Sequence, residues 1–136
     1  MLFLMVIDSL NRKVRDAKAM EILGIKVSKR ITISYLMFVD DLLFGGRANL
    51  AEWTVIHCII SSVGRDSRLC MNGLKSLLIH NGNIGPVKED IRFHLGVGLR
   101  HLDEGCTYLG FILKPKNYCI KDWEPLVNRF QKKLDG

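Results

Sequence analysis

The period of the apolar positions changes several times along the chain, and each change marks an element. Residues 2 to 20 place Phe3, Val6, Ile7, Leu10 and Val14 on one helical face, with Asp8, Asn11, Arg12, Lys13, Arg15 and Asp16 opposite. Gly24 to Val27 is a short turn and strand. From Ile31 the period drops to two: Ile31, Ile33, Tyr35 and Met37 point one way, and Thr32, Ser34, Leu36 and Phe38 the other. A second, shorter apolar run, Leu42-Leu43-Phe44, closes at Gly45-Gly46. Between the two runs stand Asp40 and Asp41. The pattern predicts a strand, a tight turn carrying two carboxylates, and a returning strand.

Helical spacing then returns. Asn49 is expected to cap a helix with Glu52 completing a capping box; Trp53, Ile56, Ile60 and Val63 form its core stripe and Gly64 its C′ residue. Arg65 to Arg68 reads as a polar turn, followed by short extended segments over Leu69–Asn72 and Lys75–Ile79. Asn81 to Gly85 reads as a loop. Pro86 suits the first turn of a short helix bearing Val87, Ile91 and Leu95 and ending at Gly96. A loop through His101–Gly105 leads to a strand, Tyr108–Pro115, broken by Gly110. Asp122 is expected to cap a last helix with Trp123, Leu126, Val127, Phe130 and Leu134 on one face, Pro125 falling in its first turn.

Composition narrows the picture modestly. The chain has 136 residues, 48% apolar and 25% charged, enough for one small domain with one core. Twenty Lys and Arg against 14 Asp and Glu give a formal charge of +6, which suits a polyanionic partner without requiring one. Cys58, Cys70, Cys106 and Cys119 form no C-x-x-C pair, so neither a zinc ribbon nor a disulfide framework is indicated; reduced, mostly buried thiols are expected. His57, His80, His94 and His101 lack metal-ligand spacing and are expected as core or surface histidines. The apolar start, Met1 to Ile7, is too short for a membrane span and wrongly flanked for a signal peptide. The expected protein is soluble, intracellular (nuclear or cytoplasmic), not secreted, and has no membrane partner.

An ionised carboxylate is costly to bury unless it is paired or metal-bound. A hairpin tip lets two of them sit against a packed sheet and still reach a cation. In this setting Phe38-Val39-Asp40-Asp41 resembles the catalytic hairpin of reverse transcriptases, in the form used by non-LTR (LINE-type) retrotransposons, plant ones in particular. Two later segments extend the resemblance: Asn72-x-x-Lys75-Ser76, one helix on, and Tyr108-Leu109-Gly110, which is similar to the family's primer-gripping hairpin.

The resemblance implies an α+β fold: a partial polymerase palm over 1–120, an antiparallel sheet with helices packed on one face, and the start of a thumb helix over 121–136. The implied function is RNA-directed DNA polymerisation by two-metal nucleotidyl transfer. Asp40 and Asp41 would be Mg²⁺ ligands, and Lys75 a proton donor to the leaving pyrophosphate. The implied partners are an RNA template, a DNA primer and deoxynucleoside triphosphates. The family's third catalytic carboxylate, its fingers, and the Leu-Ser-Pro loop ahead of the first helix have no counterpart in these residues. The helix is also in full register at residue 2, so the chain is expected to be a fragment that needs the missing N-terminal part of the polymerase and is inactive alone.

Two departures bear on activity. The run after Asp41 is one apolar residue shorter than the family pattern, which swaps strand faces unless a bulge absorbs it. Ser67-Arg68-Leu69 replaces Ser-Gly-Leu, so a left-handed backbone there would strain Arg68 by about 1–2 kcal/mol. The alternative is a non-catalytic, small basic module that binds nucleic acid or a protein.

Overall fold

In the computed structural model, residues 2–19, 24–26, 28–82 and 84–135 are described. The expected helix end at Met20, together with Val27, Asn83 and the side chain of Phe3, lies outside the described residues. The architecture is mixed α+β. Among the described residues there are four α-helices and four two-stranded ribbons rather than one sheet, and one ribbon is parallel. The expected single antiparallel sheet is corrected to that extent.

α1 (Leu2–Lys18) buries Leu10, Val14 and Ala17 on the stripe that its spacing predicts. It packs on α2 (Leu50–Ser67), which contributes Ile56, Ile59 and Val63 to the same cluster. Lys13 Nζ ties the two helices together by donating to Ser62 Oγ (2.8 Å), with Asp66 Oδ2 at 3.5 Å.

The long alternating run divides at Ser34. β2 (Thr32–Ile33) pairs with β1 (Ile25–Lys26), while β3 (Tyr35–Phe38) pairs with β4 (Asp41–Phe44), both antiparallel. Val6 of α1 and Tyr35, Met37 and Phe44 of the hairpin close the first cluster. The alternation holds only within β3, where Leu36 and Phe38 are exposed; before it Ser34, expected outward, is buried and Ile31, expected inward, is exposed.

Two features of α2 correct the expectation. Asn49 does cap, its side chain accepting from the Ala51 N–H at 2.9 Å. Glu52, however, turns back to Arg47, whose backbone N–H and Nε donate to Oε2 (3.3 and 3.4 Å), instead of closing a capping box. Gly64 is also not the stop. It lies inside the helix, where a Cβ would sit 2.6 Å from the Leu69 carbonyl oxygen, so its smallness lets the following chain fold back. The expected turn at 65–67 is helical, and Arg68 supplies the left-handed C-cap (φ 60°, ψ 21°).

The second half builds a β–α–β unit. β5 (Leu77–His80) and β6 (Gly98–His101) are parallel neighbours joined through α3 (Val87–Leu95), which ends at left-handed Gly96 as expected. Leu78, Ile91, Leu95 and Val97 form its core, with Val87 and Leu99 beside them. Trp53 packs against both clusters, and its Nε1 donates to the Arg47 carbonyl (2.8 Å). Three segments differ from expectation. Leu69–Asn72 forms no strand, residues 98–101 are strand instead of loop, and Leu102–Glu104 is a 3₁₀ turn.

The last element pair is a hairpin, β7 (Cys106–Tyr108) and β8 (Phe111–Leu113), with α4 (Ile120–Leu134) against β8. Asp122 caps from inside the helix: Cys119 is the N-cap, and its N–H donates to Asp122 Oδ2 (2.6 Å). The helix start therefore moves to Ile120, and Pro125 falls beyond the first turn. Cys58, Cys70 and Cys119 are exposed and only Cys106 is half-buried, which corrects the expected burial of the thiols. Among the described residues no helix is long and apolar enough to cross a membrane.

Candidate functional site

The Asp40–Asp41 hairpin has a two-residue tip. Phe38 faces Asp41 across the ribbon, leaving Val39 and Asp40 as the loop. Val39 is left-handed (φ 55°) and Asp40 is not, the sign pattern of a type II′ turn. Such a turn prefers glycine in its first central position, because a β-branched side chain meets its own backbone there. Backbone strain of this kind is held where the surrounding structure over-determines it, and it concentrates at functional sites.

The root of the hairpin is what holds it. Tyr35 and Phe44 face each other with ring centres 5.7 Å apart, and Met37 packs into the same cluster. The Tyr35 hydroxyl donates to Asn11 Oδ1 of α1, and burial pushes the phenol's pKa above its ordinary value. Gly45 N–H donates to the Ser34 carbonyl (2.9 Å), extending the ladder past Phe44. The register runs from Tyr35–Phe44 to Phe38–Asp41 without a bulge. With the shortened second run, Phe44 still faces Tyr35 and packs on the first cluster.

Asp40 and Asp41 are both exposed, and among the described residues neither carboxylate has a hydrogen-bond or ion-pair partner. Nor does any group of three or more His, Cys, Asp or Glu side chains there converge to hold a metal. Hard carboxylate oxygens suit Mg²⁺, which takes one or two of them beside water and phosphate. A centre for two ions is not assembled from these residues by themselves.

Lys75 lies in the turn before β5. Asn72 organises that turn: its Oδ1 accepts from the Leu74 and Lys75 N–H groups (3.1 and 3.3 Å), and its carbonyl accepts from Ser76 Oγ (2.8 Å). The Asn-x-x-Lys-Ser spacing is thus an Asx-type turn that presents an exposed lysine. Gly73 lets this turn approach α3, since a Cβ would lie 2.5 Å from the Gly96 carbonyl oxygen. The root of the carboxylate hairpin packs on the first core cluster, while the turn holding Lys75 lies against the end of α3.

Tyr108, Leu109 and Gly110 form the tip of the fourth ribbon, not a glycine break within one strand. Leu109 (φ 51°) and Gly110 (φ 83°) are both left-handed, the sign pattern of a type I′ turn. A Cβ on Gly110 would meet only the Arg129 guanidinium of α4, the far end of a flexible side chain, so glycine is needed there for conformation. Nothing in the spacing of the sequence points to Arg129. The same α4 seat is fastened by Lys114 Nζ and Asp122 Oδ2 at 2.5 Å, side chains only 14% and 12% exposed. The hydrogen bond from Lys114, followed by that from the Cys119 N–H, holds the Asp122 carboxyl at about 2, while Lys114 is pushed up.

No family model, curated protein or solved structure matches the chain.

Proposed function

We propose that the chain is part of the reverse transcriptase of a non-LTR, LINE-type retrotransposon, comprising the later part of the palm and the first thumb helix, and that it does not polymerise alone. One observation carries the reading. Two adjacent, solvent-facing carboxylates stand at the tip of a two-stranded hairpin whose first turn residue is a strained valine. The Asx turn presenting Lys75 and the two-residue tip at Leu109-Gly110 support it, in the order the family's motifs require.

On this reading Asp40 and Asp41 offer hard oxygen donors to Mg²⁺, and Lys75 offers an ammonium to a departing phosphate oxygen. The third carboxylate would come from outside residues 1–136. Purified protein with Mg²⁺, an RNA template, a DNA primer and deoxynucleoside triphosphates is expected to give no primer extension. Extension is expected when a polypeptide bearing the third carboxylate is added, and Asp40→Asn should abolish it. Extension by the chain alone, lost in Asp40→Asn, would overturn the claim of incompleteness.

The formal charge of +6 favours the second reading, a basic binding module. That reading expects salt-sensitive nucleic-acid binding indifferent to Asp40→Asn and Asp41→Asn, with no complementation.

A further inference from the structure

The four histidines, dispersed in sequence, meet in two pairs. His57 and His94 have ring centres 5.1 Å apart, and His80 and His101 have theirs 5.0 Å apart. We infer that His80 and His101 form a two-histidine site for a borderline divalent transition metal ion of the Zn²⁺ class.

The placement comes from the parallel ribbon. His80 and His101 are register partners at the carboxyl ends of β5 and β6, two residues beyond the register partners Leu78 and Leu99. Alternate strand residues share a face, so the histidines end the apolar face that Leu78 and Leu99 bring to the second core. Both are half-buried there. With Zn–N distances near 2.0–2.1 Å and a tetrahedral angle, two imidazoles on one ion have ring centres about 5 Å apart. The observed ring-centre separation of 5.0 Å meets that distance.

The second observation concerns the other ring nitrogens. A metal-ligating histidine characteristically donates its remaining N–H to a carbonyl or carboxylate, which fixes the tautomer and orients the ring. His80 Nδ1 lies 3.2 Å from the Gly82 carbonyl oxygen, so that N–H donates there and leaves Nε2 as a lone pair. His101 Nδ1 lies 3.5 Å from Asp103 Oδ2, and the Glu104 carboxylate holds the loop by accepting from the His101 N–H (3.0 Å). In this structure His101 Nδ1 accepts from the Asp103 N–H (3.2 Å), which places the ring proton on Nε2. Metal binding moves that proton from Nε2 to Nδ1, where it is donated to the Asp103 carboxylate; none is released. Water or an outside donor fills the remaining coordination positions, in keeping with the lack of a three-donor group among the described residues.

The His57–His94 pair is the internal control. Its rings are similarly spaced, yet among the described residues no hydrogen bond anchors either one.

The test is a titration of the reduced full chain with ZnCl₂ at neutral pH, read by long-range ¹H–¹⁵N NMR of the ring nitrogens. The expected result is saturation at a single ion, Nε2 shifts at His80 and His101 together, and a change of His101 to the Nδ1–H tautomer. His80→Asn and His101→Asn should each abolish those shifts, Asp103→Ala should weaken affinity roughly 10–100-fold, and His57→Asn should leave it unchanged. The inference is overturned if zinc perturbs only the exposed thiols or the His57–His94 pair, if His80 and His101 never saturate, or if His101 keeps its Nε2 proton. The tautomer change is read in the unmodified protein, so a variant that fails to fold does not remove the decision.

Discussion

Val39→Gly at the hairpin tip isolates one physical quantity, the cost of holding a β-branched residue left-handed at φ 55°. A non-glycine residue in that region loses about 1–2 kcal/mol. Glycine removes the penalty but has more unfolded-state entropy to lose, about 0.5–1 kcal/mol. Val39 is 57% exposed, so little burial is forfeited with the side chain. The net expectation is a stabilisation of about 0.5–1 kcal/mol. Urea unfolding should show it as a rise in midpoint of roughly 0.2–1 M, taking slopes of about 1–3 kcal/mol/M. Val39→Ala is the control: it keeps a Cβ in the same conformation and should stay within about 0.5 kcal/mol of the parent. The gain should come with looser order parameters at Asp40, because stiffness at a functional tip is commonly maintained at the expense of stability. If Val39→Gly is no more stable than Val39→Ala, the turn carries no strain and the argument from it to function fails.

Arg68 occupies the left-handed C-cap of α2, so Arg68→Gly should also stabilise, by about 0.5–1 kcal/mol in the same assay, with Arg68→Ala near neutral. Asp122 titrates at about 2 when α4 is seated, against an ordinary 3.8. The seat's electrostatic contribution is therefore complete above pH 3.8 and lost as pH falls toward 2; the Trp123 indole NMR signal should follow this, and Lys114→Met should move the loss to higher pH. Both outer edges of the β3–β4 ribbon are unpaired among the described strands, and Leu36 and Phe38 are exposed on its outer face. Leu36→Lys should reduce concentration-dependent association in sedimentation while leaving the melting temperature unchanged; undiminished association would clear the ribbon of blame.

The elements that the sequence made legible are those set by local pattern. The period-two run identified the inward face of Tyr35 and Met37, and the stripe of Leu10 and Val14 identified the packed side of α1. The resemblance, which has a glycine at position 68, pointed to a left-handed turn residue there, and Arg68 is left-handed as the C-cap of α2. What local pattern could not supply is partnership. Ser34 looks like any other residue of an alternating strand, yet the ribbon changes partner there, and nothing at that position signals it. Gly98-Leu99-Arg100-His101 has no period of its own and becomes a strand only through parallel pairing with β5, which α3 must first bring alongside. Gly64 misleads for a related reason: the space it leaves is filled by a chain segment that returns from beyond the helix. The histidine pairs are likewise products of tertiary contact.

The candidate site itself was readable as two carboxylates on a turn, and what it lacks follows from the same geometry. Water screens the pull of two exposed carboxylates on a cation, so a tight metal centre needs further oxygen donors and less solvent. The ribbon shows where both would have to come from. Asp41 shares its face with Phe38, and the exposed apolar surface of Leu36 and Phe38 runs up to that carboxylate. On the polymerase reading, a segment bringing a strand to this ribbon's open edge would satisfy that edge, and the chain flanking the strand would cover the apolar face. It would also reduce solvent at Asp40 and Asp41, with its own carboxylate at the tip. Leu36→Lys then separates the two functional readings. It should block complementation in the primer-extension assay if the outer face is where the missing segment docks, and should leave salt-sensitive nucleic-acid binding intact if the chain is a basic module.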